Sequence, residues 1–165
     1  MKYIITTLMI SLLLSITCNA QQVCPSGIPD EWPNSRYTTD IIDGDNVVID
    51  EKTGLMWKRC AEGFSGVDCI VGTVAKYTLA DAIEVADIAV FASYDDWRVP
   101  NVKELNSIVA KNCHKPSINA SVFPNTSNVR YICSTNRYLI NFDYGRVNSE
   151  SNFFPWNVRL VRTAN

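Results

Sequence analysis

The spacing of apolar positions changes several times along the chain, and each change marks an element. Over residues 46–50 the apolar positions alternate, with Val47 and Ile49 on one side and Val48 on the other, the period of a strand. Lys52-Thr53-Gly54 then supplies a turn in which Gly54 is free to take positive φ. Leu55-Met56-Trp57 returns as a second short strand, so this stretch predicts a β-hairpin. The period next becomes helical. Leu79, Ile83, Ala86 and Val90 recur at helix spacing behind an N-cap at Thr78 with Asp81 at N3, which predicts a helix reaching about Ala92. A second helix is predicted over residues 102–111. Asn101 and Glu104 form its capping box, Leu105, Ile108 and Val109 its apolar side, and it must end before Pro116. Strand-like runs return at residues 130–134, 138–142 and 158–161, with Asp143-Tyr144-Gly145 turning the chain toward Arg146-Val147. A hairpin, two helices and then antiparallel strands predict one α+β domain over residues 46–165.

The intervening stretches carry no comparable period. Residues 21–45 read as an irregular lead broken by Pro25, Pro29 and Pro33, with Trp32 and Tyr37 laid back on the domain. Residues 60–73 are a glycine-bearing loop that lacks the strand, lysine and helix order of a phosphate cradle. Residues 114–129 form a polar loop anchored by Val122-Phe123, and residues 148–157 a loop carrying Phe153, Phe154 and Trp156. Residues 94–105, YDDWRVPNVKEL, are the densest stretch. Pro100 holds Val99 extended, so Trp97-Arg98-Val99 enters the second helix as a rigid segment, and Trp97 is too large an apolar surface to leave in water.

Composition changes this picture at the N-terminus. Lys2, an apolar run over residues 4–14 and the small-residue site Cys18-Asn19-Ala20 predict a signal peptide over residues 1–20. That run is too short for an ordinary transmembrane helix, and no later segment is longer. Cys18 raises lipid attachment, although residues 15–18 make a poor signal for it. Cleavage leaves about 145 residues, enough for one domain. It also leaves Cys24, Cys60, Cys69, Cys113 and Cys133, which in an exported chain predict disulfides. Spacing favours Cys60–Cys69 and Cys113–Cys133 among the pairings open to five cysteines. Cys24 is then free or joins a second chain in a homodimer.

Charge and candidate chemistry narrow the function classes. Lys and Arg total 15 against 17 Asp and Glu, a net charge of −2 that becomes about −3 once Lys2 is removed. Such a balance gives no general attraction to nucleic acid or an anionic membrane. Arg130, Arg137, Arg146, Arg159 and Arg162 crowd the last quarter and read as a scattered, solvated set. His114 is the only histidine, so no zinc or catalytic cluster can be completed around it. No nucleophile elbow occurs, and adjacent Asp95 and Asp96 lack the cross-cleft separation that a carboxylate pair needs for sugar hydrolysis. No catalytic residue is assigned, and the chain is expected not to be an enzyme. Asp95 and Asp96 are expected to accept turn N–H groups or to pair with Arg98. An alternative is a calcium site made from their oxygens with Asn101 and Glu104. Phe153, Phe154 and Trp156, with nearby Asn152 and Asn157 and with Arg137, Arg146 and Arg159, offer the stacking faces and polar groups of a glycan-binding surface. The same aromatics could instead anchor the loop on a sheet.

Four stretches together carry a resemblance: DEKTGLMWKRC at 50–60, YDDWRVPNVKEL at 94–105, YICST at 131–135 and VRLVR at 158–162. Over about residues 46–163 the chain resembles a bacterial exported domain family, formerly of unknown function, that includes the C-terminal domain of the Legionella collagen-like adhesin. The resemblance implies a variant of the C-type-lectin-like fold: two helices on a small twisted antiparallel sheet with long loops. It also implies that Trp57, Trp97, Arg98, Pro100, Asn101, Glu104 and Leu105 are fold-keeping residues. In the collagen-like adhesin the domain is associated with sulfated glycosaminoglycans and host surfaces. This chain departs from that pattern where the family strand reads close to YWSST, having Ile132 and Cys133 instead, and it contains no Gly-x-y repeat. The expectation is an exported surface or periplasmic recognition module for a glycan or protein, the alternative a structural or assembly protein acting as a dimer or within a larger surface complex.

Overall fold

The computed structural model describes residues 22–151 and 153–164. The expected signal peptide with Cys18, and Asn152, lie outside the described residues. In chain order the strands are β1 (Tyr37–Ile42), β2 (Asp45–Asp50), β3 (Leu55–Lys58), β4 (Phe64–Ser65), β5 (Val71–Gly72) and β6 (Lys76–Tyr77). The helices α1 (Leu79–Asp87) and α2 (Val102–Ser107) follow, and then β7 (Arg130–Ile132), β8 (Tyr138–Asn141), β9 (Arg146–Ser149), β10 (Trp156–Asn157) and β11 (Val161–Thr163). One sheet has the order β1-β2-β3-β11 and a second the order β6-β10-β7-β8-β9, with β4 and β5 forming a separate ribbon. All pairings are antiparallel except β10 with β7. The arrangement is α+β, two helices against several sheets.

Both main sheets feed two cores, because side chains alternate across a strand. Val48 and Trp57 from the first sheet, and Tyr131 and Ile140 from the second, meet Leu105, Ile108 and Phe123 in one core. Their neighbours Val47, Met56, Ile132 and Leu139 face the other way and enclose Trp97 with Ala82 and Ala86 of α1. Trp97 is buried, and its indole N–H donates to the Phe91 carbonyl at 2.9 Å.

The lead is shorter than its composition predicts. Residues from Tyr37 onward form β1, paired along its whole length with β2 around Asp43-Gly44, where both residues have positive φ (50° and 88°). That is a two-residue hairpin turn of the Asp-Gly kind. Its end reaches across to residues 92–93. The Ala92 N–H donates to Asp45 at 2.8 Å and the Ser93 hydroxyl to Asp43, while Ala92 and Ser93 take φ of 53° and 62°. These contacts stop α1 at Asp87, short of Ala92, and leave Ile88 and Val90 exposed. Of the expected stripe Ala86 is buried and Leu79 half-buried against the core, but Ile83 and Val90 are exposed, and Ala82 completes the buried side of α1. α2 ends at Ser107 for a similar reason: Val109 and Ala110 turn to pair with residues 117–118.

The disulfides are Cys60–Cys69, as spacing favours, and Cys24–Cys113. The pairing of Cys113 with Cys133 is therefore corrected. Val23 and His114 exchange backbone hydrogen bonds at 2.9 and 2.8 Å, which sets Cys24 beside Cys113. Cys133 is a buried free thiol whose Sγ–H donates to the Tyr138 carbonyl at 2.9 Å. Cys24, closed within its own chain, is not available to join a second one.

Candidate ligand groove

The densest motif is a staple between β11 and α2. Arg98 and Val161 exchange backbone hydrogen bonds at 2.9 and 3.0 Å, and the Arg162 guanidinium holds Asp96 at 2.6 Å while lying over the Tyr94 ring. The Arg98 guanidinium grips both oxygens of Glu104 at 2.7 and 2.8 Å, and Glu104 also accepts the Asn101 N–H to complete the capping box of α2. Burial pushes the Glu104 carboxyl up, but the Arg98 hydrogen bonds, the Asn101 N–H and the Arg98 charge together hold it below the usual glutamate range. Asp96 is likewise held low, chiefly by its hydrogen bond from Arg162. Both carboxylates are thus occupied by arginines. Asp95 is exposed, and among the described residues no group of three or more His, Cys, Asp or Glu could hold a metal ion.

The six residues expected on one ligand surface are dispersed. Arg159 is buried, and its guanidinium donates to the carbonyls of Lys58 (2.9 Å) and Arg59 and to the Thr126 hydroxyl (2.9 Å), over the Phe123 ring. Desolvation lowers its pKa to about 10. This arginine is a core bracket and cannot meet a ligand, which corrects the expectation. Trp156 is half-buried in β10, paired with Tyr77 and carrying the Arg130 guanidinium over its ring. Arg146 lies over Tyr144 beside a shallow pocket shared with His114 and the Cys24–Cys113 region. Phe153 is 91 % exposed and Phe154 63 %.

Arg137 and Phe153 do come together. With Ser151 they form one wall of a groove of about 660 Å³ whose other wall is the start of α1: Thr78, Leu79 and Ile83. Local sequence explains both walls. Thr78 caps α1, its hydroxyl accepting the Asp81 N–H and donating to the Asp81 carboxylate, so the first turn is rigid. Arg137 takes positive φ (66°) just before β8, in the tight return from Cys133, and its side chain is exposed. Ile83, read from the sequence as a core position, is a wall residue 43 % exposed, whereas Leu79 is half-buried, packing against the Trp97 core while it also lines the groove. The fully buried residues of α1 are Ala82 and Ala86, which leaves Ile83 for another surface, and nothing in the periodicity separates it from a core position.

The family model described as the Lcl C-terminal domain matches residues 46–162. No curated protein and no solved structure matches the chain. The match spans the first hairpin from β2 onward, both helices, the second sheet and β11, so it takes in both cores, the 94–105 staple and both walls of the groove. The chain belongs to the Lcl C-terminal domain family, the family of the Legionella collagen-like adhesin domain that its motifs resemble.

Proposed function

We propose that this chain is an exported, non-enzymatic recognition module that holds a glycan in the groove between the start of α1 and the Arg137–Phe153 wall. The observation that carries the reading is Phe153, an aromatic ring 91 % exposed beside an exposed arginine at the mouth of a groove of about 660 Å³. An apolar floor, one stacking face and a few polar groups are what a sugar ring needs for stacking and hydrogen bonding. With Arg137 as the one arginine of its lining, the groove suits a neutral or lightly charged glycan better than a densely sulfated one. The resemblance to an adhesin domain supports the same class and supports reading the fold as a C-type-lectin-like variant. A glycan array probed with the exported protein tests this at low and at physiological salt. Saturable binding in both conditions, lost in Phe153→Ala, is the expected result; no saturable binding in either overturns the proposal.

A further inference from the structure

The open edge of the second sheet has the pattern of an interface with a second copy of this chain. Glu150 N–H donates to the Arg137 carbonyl directly opposite, so in the β8–β9 ladder Leu139–Asn148 and Asn141–Arg146 are the hydrogen-bonded pairs. The N–H and C=O groups of Val147 and Ser149 therefore point away from β8, out of the sheet edge, and no described group caps them. The other edges are treated differently. On β1 the same parity turns Tyr37, Thr39 and Ile41 outward, but the Tyr37 N–H goes to the Asn34 carbonyl and the Ile41 N–H to the Asp40 carboxylate at 2.7 Å. β11 is covered by Arg98, and β6 is only two residues long. Unprotected edges are what proteins ordinarily blunt.

We infer that β9 pairs antiparallel with β9 of a second copy, about a two-fold axis at Asn148. Of the registers that join outward-facing groups, this one sets Val147 against Ser149 of the second copy and Ser149 against its Val147, so that both outward residues of each strand are satisfied. It also sets Arg146 opposite Glu150 on the second copy, and Glu150 opposite its Arg146, as close cross-strand pairs of opposite charge. Arg146 is exposed, and the Glu150 side chain, which Arg130 holds at 3.0 Å, is still one-third exposed. The contact is isologous and closes on itself, as a two-fold pairing must. The axis runs perpendicular to the sheet, so both copies turn the same sheet face to the same side and present their Arg137–Phe153 grooves together. Two grooves on one rigid sheet would raise the avidity for a polymeric glycan. That consequence rests on the groove reading; the dimer itself does not.

Sedimentation velocity over a concentration series of the exported protein, without ligand, tests the pairing. The expected result is a reversible monomer–dimer equilibrium, with hydrogen exchange at the Val147 and Ser149 amides slowing as concentration rises. Val147→Pro removes an outward N–H without touching the β8 ladder and should abolish dimer while leaving the melting temperature of the dilute, monomeric protein unchanged. Arg146→Glu should weaken dimerisation about tenfold, and Arg146→Glu with Glu150→Arg should restore part of it, since the second substitution also gives up the pair with Arg130. A protein that stays monomeric at every concentration overturns the inference, as does a dimer indifferent to Val147→Pro and Arg146→Glu. Failure of glycan binding alone leaves the dimer standing.

Discussion

Arg159 and Arg162 are alike in the sequence and close in the chain, and both are buried with their guanidinium groups partnered by different means. Arg162 is paired with Asp96, whereas Arg159 is held by neutral groups, among them the Lys58 and Arg59 carbonyls and the Thr126 hydroxyl. Replacing Arg159 with Met keeps the bulk and leaves those carbonyls buried without a donor. Each such orphan costs about 1–3 kcal/mol, so Arg159→Met should lower unfolding stability by about 3 kcal/mol in urea titrations. Arg159→Lys should recover only part, because one ammonium cannot reproduce the planar fork. Cys133 gives a second residue-scale expectation. Burial pushes its thiol up to about 11, so at pH 8 it should ignore a thiol reagent in the native protein and react fully in urea. A fast native reaction would show that the segment after β7 opens readily.

At the scale of elements, the α2 cap and the lead disulfide carry the clearest expectations. Asn101→Ala removes the side-chain acceptor of the Lys103 and Glu104 N–H groups and should cost about 1 kcal/mol. Glu104 titrates in the folded protein below its unfolded range, so its contribution is complete at neutral pH and is lost as pH falls through the folded value. The urea midpoint should therefore drop below about pH 4, and Glu104→Gln should be less stable at pH 7 yet lose less on acidification. Asp96 adds to the same trend only weakly, since its side chain is half exposed and solvent screens its pair with Arg162. Opening Cys24–Cys113, which closes a separation of 89 residues, should cost about 4.5 kcal/mol on the loop-entropy model, against about 2.5 for Cys60–Cys69 with a separation of 9. Both helix starts were legible because caps are local chemistry. The helix ends were not, since α1 is stopped by Asp43 and Asp45 from a hairpin far away in sequence. The Asp43-Gly44 turn was itself a readable hairpin signal, and the proline-rich stretch before it masks β1. The Cys24–Cys113 pairing depends on Val23 meeting His114, which no spacing rule contains.

For the whole molecule, the residues that identify the family and those that line the groove are different sets. Trp57, Trp97, Arg98, Pro100, Asn101 and Glu104 knit β11, α2 and the two cores together and stand apart from the groove lining. The groove borrows its walls from the start of α1 and from the loops flanking β8 and β9, so the sequence disclosed Phe153 and Arg137 as candidates but not their shared partner surface on α1. Among the described residues no helix is long and apolar enough to cross a membrane. With one arginine in its lining, the groove should bind glycan with an affinity that changes only a few-fold between low and physiological salt; exposed charge pairs beyond about 10 Å are screened at 0.1 M. A steep salt slope would point instead to the scattered arginines elsewhere. The most direct test is amide chemical-shift mapping of isotope-labelled protein titrated with a glycan that binds it. Shifts should concentrate at Thr78–Ile83, Arg137, Ser151 and Phe153 and vanish in Phe153→Ala. Shifts centred on His114, Tyr144 and Arg146, or unchanged by Phe153→Ala, would contradict a groove built between α1 and the second sheet.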